Sequence, residues 1–269
     1  MDKYRRANQN LWNEKTAIHA KSDFYDVEAF KAGKSRLNHI ELEELGDVNG
    51  KSLLHLQCHF GLDSMGWARL GARVTGVDFS DKSIALAREL NTELGLDCEF
   101  VLSDIMELPD KLSGQFDIVF TSYGVLVWLP EIKRWGEVVG HFLKPGGTFY
   151  IVEYHPSAMV FDMESKKPEL RATYPYFHST EPLLFHAGGS YAEPDATFEQ
   201  AEQFEWSHSM GDIMNALIDQ GLHIEFLHEY AYCDWQMFPF LEKRGDYYHL
   251  PEGLPKVPLM FSLKATKHE

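Results

Sequence analysis

One carboxylate and one tight turn are the features of this sequence with the clearest chemistry. The turn, residues 58–61, follows a mostly apolar run at 53–57, and Asp78 follows a second apolar run at 74–77. A helix that begins at such a turn offers unpaired backbone N–H groups, and a carboxylate offers two acceptors to the hydroxyls of a ribose. Brought together by the fold, the two would form a pocket for a nucleoside.

The residues between these two features predict the elements that bring them together. Apolar residues recur with helical spacing from Leu62 to Leu70, and Gly71 is typical of a helix end. The order is therefore strand, turn, helix and strand. Such a unit forms a right-handed parallel crossover, which places the turn and Asp78 at the same edge of a sheet.

Residues 50–153 resemble the class I S-adenosylmethionine (SAM)-dependent methyltransferases in several consecutive motifs. Besides the turn, these are Gly76-Val77-Asp78-Phe79-Ser80, Ser103-Asp104-Ile105, Gln115-Phe116-Asp117-Ile118-Val119-Phe120-Thr121 and Leu143-Lys144-Pro145-Gly146-Gly147. The family's turn carries three glycines spaced G-x-G-x-G, whereas Gln57, His59 and Gly61 occupy those positions here. The occurrence of all the motifs in order is much more specific than any one of them.

The resemblance implies SAM as the cofactor and transfer of its methyl group to a small-molecule acceptor as the function. Asp78 would bind the ribose, Phe79 would pack on the adenine, and Asp104 would bind the adenine. The full set of implied cofactor-binding residues is Gln57, His59, Gly61, Asp78, Phe79, Asp104, Ile105 and Thr121.

The implied fold is α/β: a Rossmann-like three-layer sandwich whose seven-stranded, mostly parallel sheet ends in an antiparallel last strand. We predict that residues 1–50 form a helical N-terminal cap and that 51–154 and 207–269 form the SAM-binding core. Residues 155–206, rich in Pro, Gly and aromatic residues, are predicted to be an insertion that forms a substrate cap. The aromatic stretch 233–240 is predicted to be a loop that borders the pocket.

Four aromatic residues and one histidine are candidates for the substrate site. Tyr123 and Trp128 follow the fourth predicted strand, at the edge where open α/β sheets bind ligands, and Trp12 and Tyr25 belong to the cap. Any of these rings could instead serve only to pack the core. His155 follows the fifth strand and is the candidate catalytic base, which a hydroxyl or protonated amine acceptor would need.

The composition of the chain restricts its partners. The net charge of −16 and the lack of a basic run argue against nucleic acid. The sequence shows no signal peptide and no apolar run of membrane-spanning length, and its three cysteines are widely spaced, so we predict a cytoplasmic protein without a membrane partner. Metal-ligand spacing is missing, which predicts no metal site. The oligomeric state is left open.

Two other functions are compatible with the same motifs. A nicotinamide-dependent oxidoreductase also has a βαβ unit that ends in an acid, although it would need glycine at the positions of Gln57 and His59. A non-catalytic SAM-binding protein would share every cofactor motif. Both stand as alternatives to the methyltransferase.

Overall fold

The computed structural model describes residues 1–268. Its helices are α1 (Lys3–His19), α2 (Val27–Lys31), α3 (His39–Leu45), α4 (Leu62–Arg69), α5 (Asp81–Glu93), α6 (Ile132–Phe142) and α7 (Met210–Ile218). Its strands are β1 (Ser52–Leu56), β2 (Arg73–Asp78), β3 (Glu99–Leu102), β4 (Phe116–Ser122), β5 (Leu143–Tyr154), β6 (Leu183–His186), β7 (Glu202–Glu205), β8 (Leu222–Tyr230), β9 (Tyr232–Cys233), β10 (Glu242–Arg244), β11 (Tyr247–His249) and β12 (Met260–Lys267).

A seven-stranded sheet organises the molecule, in the order β3-β2-β1-β4-β5-β12-β8. Strands β1 to β5 pair in parallel, whereas β12 runs antiparallel to both β5 and β8. The predicted Rossmann-like sheet with an antiparallel last strand is therefore confirmed. The register between β1 and both β2 and β4 brings the carboxyl ends of these three strands to one edge.

The central strands are buried because helices cover both faces of the sheet. In β1, the four residues from Leu53 to Leu56 are all buried, which is typical of a parallel strand packed on both sides. One face packs under α4 and α5 around residues such as Trp67, and the other packs under α6 and α7 around Trp135.

Local sequence fixes where the helices next to the edge begin. The Ser80 side chain accepts a hydrogen bond from the Ser83 N–H and caps α5. Gly61 precedes α4 with φ +80°, and a Cβ there would lie 2.6 Å from the ring of Phe100. Only glycine satisfies both conditions, which explains why this glycine of the turn is retained.

Segments outside the sheet cover its carboxyl edge. Helices α1 to α3 precede β1, and the hairpin of β6 and β7 lies between β5 and α7. The division into cap, core and insertion stays a prediction about structural units. No helix within residues 1–268 has the length and apolar character needed to cross a membrane.

The predicted aromatic loop, residues 233–240, is observed as a loop except for Cys233, which ends β9. The strands around it were not predicted: β9, β10 and β11 form a small antiparallel sheet between β8 and β12. Strands of two or three residues are too short to show an alternation of polar and apolar residues. The sequence therefore gave no periodic signal for this sheet.

Candidate functional site

A large cavity lies at the carboxyl edge of the sheet, under the N-terminal helices and the insertion. Its volume is about 1410 Å³, which exceeds the roughly 300–1000 Å³ of pockets for one small ligand. The residues proposed from the sequence that line it are Trp12, Tyr25, Gln57, His59, Gly61, Asp78, Phe79, Asp104, Ile105, Tyr123 and Trp128. The cavity therefore has room for a cofactor and a second molecule.

The turn before α4 keeps a glycine-like backbone although two of its glycines are replaced. Gln57 has φ +58° and His59 has φ +50°, so both adopt the left-handed conformation that favours glycine. The amide of Gln57 donates to the Val125 carbonyl (3.0 Å), and its buried Oε1 has no hydrogen-bond partner among the described residues. An unfilled acceptor in the cavity wall points to a ligand donor.

Asp78 lies against this turn at the end of β2. One carboxylate oxygen accepts from the His59 N–H (2.9 Å) and the other accepts from the Ser80 N–H (2.8 Å). Burial raises the pKa of Asp78 to about 6, although these N–H groups oppose the shift. Each oxygen still has a free lone pair, so the carboxylate can accept from the hydroxyls of a ribose.

Asp104 lies farther along the edge and contacts the N-terminal helix. Its carboxylate accepts from the Met106 N–H (2.9 Å) and from the guanidinium of Arg5 in α1 (2.6 Å). Gln9 of the same helix donates to the Phe79 carbonyl (2.6 Å). Helix α1 therefore covers the part of the cavity where the sequence predicts adenine binding.

A continuous hydrogen-bonded chain joins α1, the turn, α5 and the insertion. The Ser190 hydroxyl lies 2.5 Å from Nε2 of His19, and Nδ1 of His19 lies 3.0 Å from Nε2 of His59. Nδ1 of His59 is 3.0 Å from Oγ of Ser83, which is 2.7 Å from Oγ1 of Thr16. The ring nitrogens of His59 are thus both engaged by protein groups, so its imidazole is turned toward the cap.

All the hydrogen bonds in this series, from Ser190 to Thr16, can be assigned a donor and an acceptor. The Thr16 hydroxyl donates to the Trp12 carbonyl (2.8 Å), so Ser83 must donate to Thr16 and accept from His59. It follows that Nδ1 carries the proton in both His59 and His19. Burial lowers the pKa of His19 to about 3 and that of His59 well below its usual value, so both rings are neutral.

The loop after β4 is held by a buried carboxylate. Glu153 of β5 accepts from the N–H groups of Val125 (2.8 Å) and Leu126 (3.2 Å) as well as from that of Gly124. The Trp128 indole then donates to the Gly124 carbonyl (2.8 Å). These contacts fix the ring of Trp128 against that of Trp12, with centroids 5.3 Å apart.

Two tyrosines of the cavity lining, Tyr123 and Tyr154, are each hydrogen-bonded to an acidic residue. The Tyr123 hydroxyl donates to Glu41 (2.9 Å), and the Tyr154 hydroxyl donates to Asp234 (3.0 Å). Burial raises the pKa of Glu41 to about 8 and that of Asp234 to about 6. The guanidinium of Arg36 lies over the rings of Phe24 and Tyr25, 5.3 and 5.6 Å from their centroids. This part of the cavity therefore combines aromatic faces with charges of both signs.

Two residues proposed from the sequence are placed elsewhere. His155 is outside the cavity lining of the described chain: its Nε2 lies 2.9 Å from a carboxylate oxygen of Glu229, and its Nδ1 accepts from the Ser157 N–H. The side chain of Thr121 is buried in β4 and is likewise not part of the lining found for residues 1–268. A residue at the end of a strand is expected to lie at the carboxyl edge of the sheet. Whether it reaches the cavity depends on the direction of its side chain.

Several charged residues of the cavity were missed by the sequence reasoning. Lys15, Arg36 and Asp63 all line it. Lys15 follows Trp12 by one helical turn, so the periodicity of α1 could have indicated it. The other residues come from separate segments that only the tertiary fold brings together.

Comparison with known proteins agrees with this geometry. The family model described as "Methyltransferase domain" matches residues 53–147, which contain β1 to β4, the turn, Asp78 and Asp104. A ubiquinone biosynthesis O-methyltransferase from Bordetella avium is 30% identical over 158 residues, covering 56% of this chain and 65% of the relative. The Bordetella pertussis enzyme of that name is 29% identical over 163 residues, covering 60% and 64%. The match thus spans somewhat less than two thirds of these relatives.

Solved structures share the fold over most of the chain. A SAM-dependent methyltransferase from Mesorhizobium loti has a TM-score of 0.58 at 24% identity, covering 88% of this chain and all (100%) of that one. Another from Clostridium acetobutylicum has a TM-score of 0.57 at 14% identity, covering 97% and 100%.

The sheet order is that of a Rossmann-like fold, and the turn, Asp78 and Asp104 line one cavity at its carboxyl edge. Residues 53–147 of this chain are similar to the methyltransferase domain of the family model.

Proposed function

We propose that this protein transfers a methyl group from SAM to a small-molecule acceptor held in the same cavity. The observation that carries the proposal is the cavity of about 1410 Å³, which is lined by the turn, Asp78 and Asp104 and also by aromatic and charged side chains of other segments. A protein that only bound a nucleoside would not need room for a second molecule.

The residues present fit the cofactor. Asp78 would accept from the ribose hydroxyls, Asp104 from the adenine amino group, and the unpartnered Oε1 of Gln57 supports a ligand donor at the turn. Arg36 and Asp63 line the cavity and form no ion pair with each other within residues 1–268. They would hold the carboxylate and the ammonium of the methionine part.

The role of the protein in this reaction is to position the acceptor next to the methyl group. SAM, when bound, supplies an electrophilic methyl group on a positively charged sulfur. The chain's own residues hold the acceptor close to that group and exclude water. Helix α1 and the insertion serve this purpose, because the chain from Ser190 through His19 to His59 joins both of them to the turn.

The acceptor is proposed to be small. Residues of α1 and of the insertion line the cavity, which favours a small acceptor, and the net charge of −16 disfavours nucleic acid. The relatives from Bordetella are O-methyltransferases by name, which supports an oxygen acceptor. We also propose a cytoplasmic location, because the three cysteines are free.

A methyl-transfer assay tests the proposal. The purified protein is incubated with SAM carrying a deuterated methyl group and a panel of phenols, carboxylic acids, amines and thiols, and methylated products and S-adenosylhomocysteine (SAH) are detected by mass spectrometry. We expect turnover of at least one hydroxyl compound, lost in Asp78→Ala. Binding of SAH without turnover of any acceptor would favour the non-catalytic alternative, and binding of NADH alone would favour the oxidoreductase.

A further inference from the structure

Lys15 of α1 is a buried cation that faces the cavity. Its side chain is among those lining the cavity, yet the residue is only 5% exposed. The ammonium lies over three aromatic rings, 5.0 Å from the centroid of Trp12, 5.5 Å from that of Trp128 and 6.0 Å from that of Phe198. A lysine is seldom buried so deeply unless its charge is paired.

The pairing of this ammonium is incomplete. Its one hydrogen bond to the described part of the chain goes to Oε1 of Gln203 (3.2 Å), whose amide in turn donates to Glu205. No carboxylate of residues 1–268 lies within ion-pair distance of Nζ. An ammonium has three N–H donors, so two remain available toward the cavity.

The surroundings of Lys15 favour an anionic oxygen on an aromatic ring. The rings of Trp12 and Trp128 are in edge-to-face contact, with centroids 5.3 Å apart, and form an apolar wall beside the ammonium. The ring of Trp12 also lies 5.1 Å from that of His59, so this part of the cavity adjoins the cofactor turn. A phenolate ring would contact the aromatic walls while its oxygen completes the hydrogen bonding of Nζ.

The charged and titratable groups that face Lys15 are few. Burial lowers the pKa of Lys15 to about 8. The charge of Glu205 in β7 opposes this shift but is the weaker influence. His19 and His59, on α1 and the turn, are neutral rings that Lys15 helps to keep unprotonated. At neutral pH the ammonium is therefore the local positive charge.

We propose that Lys15 is a substrate-binding residue that holds the ionised hydroxyl of a phenolic acceptor beside the contacting rings of Trp12 and Trp128. The inference rests on the proposed function and narrows its acceptor class. The acceptor releases its hydroxyl proton to solvent and is bound as the oxyanion. An oxygen lone pair then forms the O–C bond while the C–S bond breaks and its electron pair stays on sulfur, giving a methyl ether and SAH.

A direct binding experiment with a coloured phenol tests this role without turnover. 4-Nitrocatechol is titrated into the protein in the presence of SAH, and the absorbance band of its ionised form is followed from pH 5 to 8. We expect the wild type to bind the ionised form about tenfold to a hundredfold more tightly than Lys15→Met does, the range of a lost hydrogen bond to a charged group. Lys82→Met, the same change at an exposed lysine of α5, should behave as the wild type.

Lys15→Met is expected to fold, because an apolar side chain of similar length replaces an incompletely paired buried charge. A melting temperature equal to or above that of the wild type verifies this. Binding of 4-nitrocatechol only as the neutral phenol, or equal ionisation in the wild type and in Lys15→Met, would overturn the proposal.

Calorimetric titration with SAH separates this test from that of the proposed function. If SAH binds but Lys15 does not affect the ionisation of 4-nitrocatechol, the phenolate site is wrong and the methyltransferase proposal stands. If SAH does not bind, the proposed function fails, and a titration of 4-nitrocatechol alone still tests whether Lys15 binds a phenolate.

Discussion

Asp78 is the residue on which cofactor binding depends most in this account. Burial raises the pKa of its carboxyl to about 6, and only the ionised form offers both oxygens to a ribose. The ionised form predominates above pH 6, so affinity for SAH should be constant near pH 8. It should fall as the pH drops through 6, by up to about tenfold per pH unit. Isothermal titration calorimetry across this range measures the effect.

The variant Asp78→Asn removes the titrating group with little change in shape. At pH 8 it should bind SAH about tenfold to a hundredfold more weakly than the wild type, because a hydrogen bond to a charged group is lost. Its affinity should no longer change between pH 8 and 5. A pH dependence that persists in Asp78→Asn would assign the titration to another group.

The left-handed backbone of Gln57 predicts that one substitution in the turn, to glycine, is more stable than the matched substitution to alanine. Its φ of +58° is unfavourable for any side chain with a Cβ. Gln57→Gly and Gln57→Ala both lose the hydrogen bond to Val125, so their difference isolates the backbone preference. We expect the glycine variant to be more stable by about 1 kcal/mol, measured as the free energy of unfolding in urea.

Glu89 provides the matched control for this comparison, because it is exposed in the middle of α5. There the order should reverse, with Glu89→Ala more stable than Glu89→Gly by up to about 1 kcal/mol. The same order at both positions would show that the turn does not hold Gln57 in the left-handed conformation.

Among the elements, α1 matters most because it joins the cap, the turn and the insertion. In Ser190→Ala the Nε2 of His19 loses its donor in a buried position. An unsatisfied buried group costs about 1–3 kcal/mol, and we expect this cost to appear as local opening. Hydrogen exchange of the hairpin of β6 and β7 should accelerate by about tenfold or more, while the central strands are unaffected.

Ser179→Ala, at an exposed serine of the same insertion, controls for an unspecific effect of the substitution. Its hairpin should exchange at the wild-type rate. Equal acceleration in both variants, or none in Ser190→Ala, would mean that the hydrogen-bonded chain does not hold the insertion to α1.

The predictability of the elements follows their length and periodicity. The helix that the apolar spacing predicts from Leu62 to Leu70 is observed as Leu62–Arg69, and Gly71 lies just beyond its end. In contrast, β9 has two residues and β10 and β11 have three each, too few for a pattern. The main sheet was predictable because the runs 53–57 and 74–77 mark its first strands and the resemblance implies the other strands and their order.

The candidate site was predictable where it depends on one βαβ unit. Gln57, His59, Gly61 and Asp78 share the cavity because the crossover requires the turn and the acid to meet at one edge. Lys15 and Arg36 could not be placed in this way, because their position depends on how distant segments fold over the sheet. The roles of all these residues stay predictions until a ligand is bound.

For the molecule as a whole, buried histidines predict a loss of stability in acid. Burial lowers the pKa of His208 to about 4, and its Nε2 lies 2.7 Å from the Leu129 carbonyl oxygen. The unfolded chain takes up a proton below pH 6.5 and the folded chain does not until about pH 4. The stability contributed by this group is therefore present above pH 6.5 and lost as the pH falls toward 4.

Comparison with His208→Gln isolates this contribution, since glutamine can donate to the same carbonyl but does not titrate. Between pH 7 and pH 5 the wild type should lose about 2 kcal/mol more of its free energy of unfolding than the variant does. Urea unfolding at the two pH values measures this, with His223→Gln at an exposed position as the control. An equal loss in the wild type and His208→Gln would contradict the assignment.

The central claim is that the turn ending at Gly61, Asp78 and Asp104 form one crevice for the adenosine of the cofactor. A crystal structure of the protein with SAH tests it most directly. We predict the ribose hydroxyls within hydrogen-bond distance of the Asp78 carboxylate and the adenine amino group beside Asp104. SAH bound elsewhere in the cavity, or bound with its ribose away from Asp78, would contradict this placement of the cofactor.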